Sequence, residues 1–328
     1  MKKIIKYLFF LILLLGITYY SLGFYVAYQI LRIDPTCGLH EGSLPNTWST
    51  SIDAHEYKNI NQTILRKNFP FEEYYLDKWQ DVYFTSRDSD IQINGWLFNY
   101  YPKRPIIIVT HGINPNGKCK SESNLVASML IKNNFNVLTI DLRNYGQSDD
   151  TSKFDDLGLL SYKDILGGFD FLIKAGFNSS QIGLHGISLG ASTSIFASYY
   201  ESDIRAVWSD SSLAEFHMIL NDEIARYGLS IEFGPAVSLA GKVLTGLDPS
   251  NLSPSKKLLP STSYFFTHGD RDTRVLTRHF HYFQNFVEEN NLDAEFWLAP
   301  DSDHLDSMLK YTNEYGERMK YFFNSKLN

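Results

Sequence analysis

The chain has 328 residues, 44% of them hydrophobic and 20% charged, a composition that supports a sizeable folded core and excludes wholesale disorder. Thirty lysines and arginines against 37 aspartates and glutamates leave a formal net charge of -7, with no basic stripe, which argues against a nucleic-acid partner. Two cysteines, Cys37 and Cys119, suffice for one bridge or two independent thiols, and not for a disulfide framework.

The first element is MKKIIKYLFFLILLLGITYYSLGFYVAYQILR, with no charge from Tyr7 to Leu31. At ~1.5 Å per residue this run is long enough to cross a ~30 Å hydrocarbon core, and Tyr19, Tyr20, Tyr25 and Tyr28 gather in its second half as interfacial aromatics do. A cleaved signal peptide has a shorter apolar region, so an uncleaved membrane anchor over residues 1–32 is expected. Lys2, Lys3 and Lys6 precede the run and only Arg32 closely follows it. The positive-inside rule therefore predicts a cytoplasmic N-terminus and an extracytoplasmic remainder.

Residues 33–78 lack sustained periodicity and carry Pro35, Pro45 and Pro70, which predicts a juxtamembrane connector with one or two short helices. Regular patterning starts at about residue 79. DVYFTS (Asp81–Ser86) and IQINGWLF (Ile91–Phe98) alternate around the turn-forming Arg87-Asp88-Ser89-Asp90, as in an antiparallel hairpin. PIIIVTHG (Pro105–Gly112) and NVLTIDL (Asn136–Leu142) are continuous apolar runs, as expected of strands buried on both faces, with a helical segment between them. An amphipathic helix over Ser161–Gly176 precedes the short strand QIGLHG. A helix over ASTSIFASYY, the strands Ile204–Asp210 and Thr262–Gly269, a helix from Val275, the strand Ala294–Ala299 and one last helix from about Leu305 to Phe323 complete the order.

Strands alternating with helices of this length predict an α/β fold, a mostly parallel central sheet with helices on both faces. Ligands of such sheets sit at the carboxyl ends of the strands. Residues 211–260 break the alternation with helix-like pieces and are expected to form a small helical cap above those ends. The cap carries Phe216, Met218, Ile219, Leu220, Phe233 and Leu239, which could face an acyl chain but are accounted for by packing against the sheet.

One strand end carries GLHGISLGAS, Gly183–Ser192. A serine between glycines two residues away on either side fits a nucleophile raised on a strand-to-helix turn, and it also fits an ordinary helix cap. A serine hydroxyl attacks a carbonyl only if a base takes its proton and an acid holds that base in the required tautomer. Later strand ends supply both types: HGDRDTRV offers Asp270 and Asp272, and PDSDHLDS offers His304. His279 and His281, two apart within a helix-like segment, do not share a face, so they suit surface or packing roles and not a metal site.

From about Asp81 onward, roughly three quarters of its length, the chain resembles the α/β-hydrolase superfamily. THG (Thr110–Gly112) is similar to its oxyanion-loop motif, DLRNYGQSD (Asp141–Asp149) to its D-x-R-G-x-G-x-S segment, and GISLG to its nucleophile elbow. HGDRDTRV resembles the H-G-x-x-D-x-x-V block, whose aspartate is the acid. The likeness implies Ser188 as nucleophile, His304 as base, Asp272 rather than Asp270 as acid, and Gly186 and Gly190 as the small residues a tight elbow needs. It also implies an oxyanion hole from the backbone N–H groups of Leu189 and Ile113, although Ile113-Asn114-Pro115-Asn116-Gly117 departs from glycine-rich lipase loops. Asn144 stands where the family has glycine, a residue type that tolerates left-handed backbone.

Within the superfamily the chain looks most like membrane-associated bacterial hydrolases of the dienelactone-hydrolase-like and prolyl-oligopeptidase-like group. The implied activity is hydrolysis of a small-molecule or lipid ester, or a thioester, without metal or cofactor because the triad supplies nucleophile, base and electrostatics. A peptidase, an acyltransferase and a non-catalytic membrane module are the alternatives. The implied organisation is an anchor over 1–32, a connector over 33–78 and a catalytic domain over 79–328.

Overall fold

Residues 2–33, 42–48, 65, 67–113 and 119–327 are described by a computed structural model, in which the alternation becomes a single eight-stranded sheet. Strands β1 (Gln80–Thr85) and β2 (Gln92–Phe98) form the antiparallel hairpin, with Gln80 opposite Leu97 and Thr85 opposite Gln92. They are followed by β3 (Ile106–Thr110), β4 (Asn136–Ile140), β5 (Ile182–Ile187), β6 (Ala206–Asp210), β7 (Ser263–Gly269) and β8 (Ala294–Ala299). The spatial order is β1-β2-β4-β3-β5-β6-β7-β8, antiparallel as far as β4 and parallel from there on. Every residue of β3, β4, β5 and β6 is buried, which is why these strands read as unbroken apolar runs.

The chain opens with α1 (Lys2–Leu31). One face of the sheet is covered by α2 (Asn124–Lys132) and by the C-terminal helices, where Leu125, Met129, Met319, Phe322 and Phe323 join Ile107, Val109 and Trp208. The other face is covered by α3 (Tyr162–Lys174) and α4 (Leu189–Tyr200). In α3 the residues Ile165, Leu166, Phe169 and Leu172 recur at helical spacing, and all four are buried. Helices α5 (Phe216–Arg226) and α6 (Gly234–Thr245) lie between β6 and β7, where the cap was expected, and α7 (Arg278–Asn290) lies between β7 and β8. His279 of α7 is fully buried, its Nδ1 accepting the N–H of Ala214 at 2.9 Å, so it is a packing residue.

One expectation needs revision. The last helix is two helices, α8 (Asp306–Lys310) and α9 (Thr312–Lys326). Between them Tyr311 has φ -120°, and its hydroxyl donates to the carbonyl of Pro300 at 3.0 Å, a tertiary contact that outweighs local helix propensity. The apolar N-terminal run is also not uniform. From Ile4 to Ile17 its large side chains are exposed, whereas Gly23, Val26, Ala27 and Leu31 are buried against α5 and α6. The helix is long and apolar enough to cross a membrane, and its C-terminal third is also part of the folded domain.

Among the described residues of 33–78, Trp48, Tyr74 and Leu76 join the core on the α2 side. Cys119 is buried and disulfide-bonded, while Cys37 lies outside the described residues.

Candidate active site

The site begins with backbone strain. Ser188 joins β5 to α4 with φ 53° and ψ -112°, a region costly for a residue with a side chain. Its N–H is held by the carbonyl of Asp210 at the end of β6, at 2.8 Å. The flanking glycines permit the turn. A Cβ on Gly186 would stand 2.2 Å from the carbonyl oxygen of Gly190, and one on Gly190 would stand 2.4 Å from the carbonyl oxygens of Thr110 and His111. Serine at this position is therefore not an ordinary cap: it makes no side-chain capping bond, and its hydroxyl faces His304.

Ser188 Oγ lies 3.0 Å from His304 Nε2, and His304 Nδ1 lies 2.7 Å from Asp272 Oδ2. The second oxygen of Asp272 accepts the N–H groups of Arg274 and Val275, each at 2.8 Å. Asp272 and His304 are both only 4% exposed, which strengthens every electrostatic term between them. Burial alone would raise the Asp272 carboxyl, but the charge of His304 and the hydrogen bonds from His268 and His304 hold it below the usual carboxylate range. It stays ionised beside the imidazole. Asp270, the other carboxylate of the turn, is exposed, and its Oδ1 accepts the N–H of Ser302 at 3.1 Å. Geometry thus separates the two aspartates of the turn, and the one beside His304 is the one the family likeness implied, Asp272.

Leu189 opens α4, so its N–H is among the first four of the helix that find no partner in the preceding turn. Ile113 lines the same pocket as Ser188 and Leu189. The loop before Ile113 is fixed by Glu122, whose Oε2 accepts the N–H of Gly112 at 2.7 Å. Residues 114–117 of the expected oxyanion loop lie outside the described residues. Asn144 does take the left-handed conformation, with φ 68°, and its amide oxygen accepts the N–H groups of Thr151 and Ser152.

Sequence reasoning missed two residues that shape the site. His268 Nε2 lies 3.2 Å from Asp272 Oδ2 and 2.7 Å from the carbonyl of Val275, so it braces the acid at the same oxygen that meets His304. Its signal was present, as the first residue of the HGDRD block four positions before the acid. Glu122 had none, because nothing local ties a loop glutamate to a glycine ten positions earlier.

A serine on a strained strand-to-helix turn, bonded to a buried histidine that is bonded to a buried carboxylate, on a mostly parallel sheet, defines a serine hydrolase of the α/β-hydrolase fold. Residues 121–328 match the prolyl oligopeptidase family, and the chain belongs to that family. A relative in Escherichia coli O157:H7, the uncharacterized protein YfhR, is 27% identical over 262 residues, covering 77% of this chain and 84% of that protein. Among solved structures, an esterase of Pyrococcus furiosus superposes with a TM-score of 0.61 at 19% identity, over 80% of this chain and 95% of the esterase. The acylaminoacyl peptidase of Pyrococcus horikoshii superposes with a TM-score of 0.59 at 18% identity, over 83% of this chain but 44% of the peptidase.

Proposed function

We propose that this serine hydrolase cleaves a carboxylic ester or thioester, with Ser188 as nucleophile, His304 as general base and then acid, and Asp272 as the acid that orients it. The observation that carries the assignment is the continuous hydrogen-bonded line from Asp272 through His304 to Ser188. Ser188 Oγ attacks the acyl carbon as its proton passes to His304 Nε2, and the oxyanion is met by the backbone N–H groups of Leu189 and Ile113. The bond to the leaving group breaks as His304 returns the proton to it. Water then attacks the acyl-enzyme and loses a proton to His304, which passes it to Ser188 Oγ as the acyl–Oγ bond breaks and the acid departs.

An ester is favoured over a peptide by the pocket beside Ser188, which is walled by Leu189, Leu213, Phe216, Leu220, Val237 and Val275 and offers few polar groups to hold a peptide backbone. Family membership keeps a peptide substrate as the second reading. In this proposal residues 1–32 form a membrane anchor with its N-terminus in the cytoplasm, residues 33–78 the connector, and residues 79–328 an extracytoplasmic catalytic domain with its cap over 211–260.

The deciding experiment assays the full chain on p-nitrophenyl esters of increasing acyl length and on peptidyl p-nitroanilides, beside Ser188→Ala and with fluorophosphonate labelling of both. Ester turnover and labelling that vanish together in the variant support the proposal. Faster cleavage of the anilides moves the assignment to a peptidase, and a folded chain that neither labels nor turns over any substrate overturns it.

A further inference from the structure

The pocket beside Ser188 has a wall that the catalytic fold does not supply. Ala27, Ile30 and Leu31 of α1 line it together with Val237, Ser238 and Gly241 of α6. The two helices run side by side in the same direction. Tyr19 stacks on Phe233 with ring centroids 5.0 Å apart, and its hydroxyl donates to the carbonyl of Glu232 at 2.7 Å. Gly23 lies so close to Ala236 that a Cβ there would stand 2.5 Å from the Ala236 Cβ. Higher up, Leu31 lies against Gly241. Small residues bring the two backbones together, as in helix pairs within membranes.

Length then sets the depth of this contact. Between Lys6 and Tyr19 lie about 12 residues, or ~18 Å of helix, well short of the ~30 Å of a hydrocarbon core. The roughly 20 apolar residues needed to cross it run from Tyr7 to about Val26. The docked part of α1 therefore lies within the apolar layer or at its edge, and it draws the tip of the cap to the bilayer surface. The cap is apolar where this requires it: Ile231 and Leu239 are 55% and 50% exposed. Tyr20, Tyr25 and Tyr28 are likewise exposed around the same level of α1, as side chains of a membrane interface are. Glu232 at the cap tip is exposed and sits beside Tyr19, about seven residues inside that span, so its carboxylate requires the bilayer to thin locally or headgroups and water to reach it there. Ala27, Ile30 and Leu31 follow directly above Val26. The two charged residues on the pocket wall, Glu223 and Arg274, are paired with each other and leave the rest of the wall apolar.

We propose that the groove between α1 and α6 is the acyl-chain site for an ester drawn from the lipid bilayer, so that the N-terminal helix is one wall of the substrate site as well as a tether. The proposal rests on the serine-hydrolase assignment above and adds the substrate class. The chain of a membrane lipid enters beside Ile30 without leaving apolar surroundings, and its ester carbonyl reaches Ser188 at the inner end.

The test uses the full chain in phosphatidylcholine vesicles and a long-chain alkyl fluorophosphonate carrying a diazirine near the end of the chain. The expected result is phosphonylation of Ser188 and, on illumination, crosslinks to the peptides containing Ala27 to Leu31 and Val237 to Gly241. Crosslinks confined to other parts of the domain overturn the proposal. Ile30→Trp, which fills the groove from its half-buried edge, should lower the ratio of long-chain to acetyl ester turnover roughly tenfold or more, given what one methylene is worth in an apolar pocket. An unchanged ratio in a variant that still labels overturns it as well. If Ile30→Trp does not fold, the crosslinking of the wild type decides alone. Faster turnover of an ester embedded in the vesicle than of the same ester dispersed as monomers supports the bilayer as the source, and equal rates refute that source. Absence of any labelling at Ser188 in the wild type sinks the serine-hydrolase assignment itself, a result distinct from labelling with crosslinks elsewhere.

Discussion

Ser188 Oγ and His304 Nε2 are 116 positions apart in the chain and 3.0 Å apart in space. Nothing between them in sequence enforces that distance. It arises because β5 and β8 end on the same side of one sheet, so the loops that follow them meet. Ser188→Ala and His304→Ala should each lower kcat by about 10⁴- to 10⁶-fold, and the double variant should be little worse than either, because the two act as a unit. Steady-state kinetics of the three variants, alongside thermal melts to show that each is folded, check this.

The strain at Ser188 predicts a trade of activity for stability. Its φ of 53° with ψ -112° suits glycine, and strained positions of this kind cost about 1–3 kcal/mol. Ser188→Gly should therefore be inactive and yet unfold at a higher denaturant concentration than Ser188→Ala. Urea unfolding of the two variants is the check, and equal midpoints would count against stored strain.

Gly190→Ala should damage the elbow from behind. The added methyl would meet the carbonyl oxygens of Thr110 and His111 at 2.4 Å, and backbone of two buried segments cannot move aside as a flexible side chain could. The expected loss is at the upper end of, or beyond, the ~1–3 kcal/mol typical of overpacking, together with loss of fluorophosphonate labelling. A variant that melts and labels like the wild type would show that the elbow relaxes more easily than this contact implies.

Arg143 and Asp164 form a buried pair at 2.6 Å that ties the turn after β4 to α3, with Asp164 also accepting the N–H of Arg143. Arg143→Met leaves the carboxylate buried without its cation, a change that typically costs about 3–5 kcal/mol. Arg143→Met combined with Asp164→Leu should recover much of that loss. Melting both variants tests whether the cost lies in the unpaired charge or in the lost turn.

Asp210 gives stability a pH dependence of definite sign. Burial pushes its carboxyl up to about 6 against the hydrogen bonds it accepts from Tyr315 and Ser211. An unfolded aspartate titrates near ~3.9, so between these values the folded state holds more protons than the unfolded one, and stability falls as pH rises. The contribution is full below about 4 and lost above about 6, and amounts to roughly 2–3 kcal/mol. Asp210→Asn should remove that slope, so the variant gains on the wild type between pH 4 and pH 7. Unfolding at both pH values measures it, and a constant difference between the two proteins would contradict it.

The fold and the candidate site of this protein were legible in its sequence where they are written in short local patterns. An elbow needs glycines two residues either side of its serine, buried parallel strands need unbroken apolar runs, and an acid turn carries its own HGDRD block. Those constraints act within a few residues of chain, so Ser188, the turn carrying Asp270 and Asp272, and the succession of strands and helices along the chain could be read without a structure. The choice of Asp272 over Asp270 needed either a family likeness or coordinates, since both carboxylates sit in one turn and only the approach of His304 distinguishes them. The bracing of Asp272 by His268 and of Gly112 by Glu122 became visible only when separate segments met. The division of the apolar run was likewise hidden, because hydropathy scores an exposed leucine and a domain-facing one alike. Only the docking of Gly23 on Ala236, a contact between residues more than two hundred positions apart, makes the end of α1 a wall of the pocket beside Ser188.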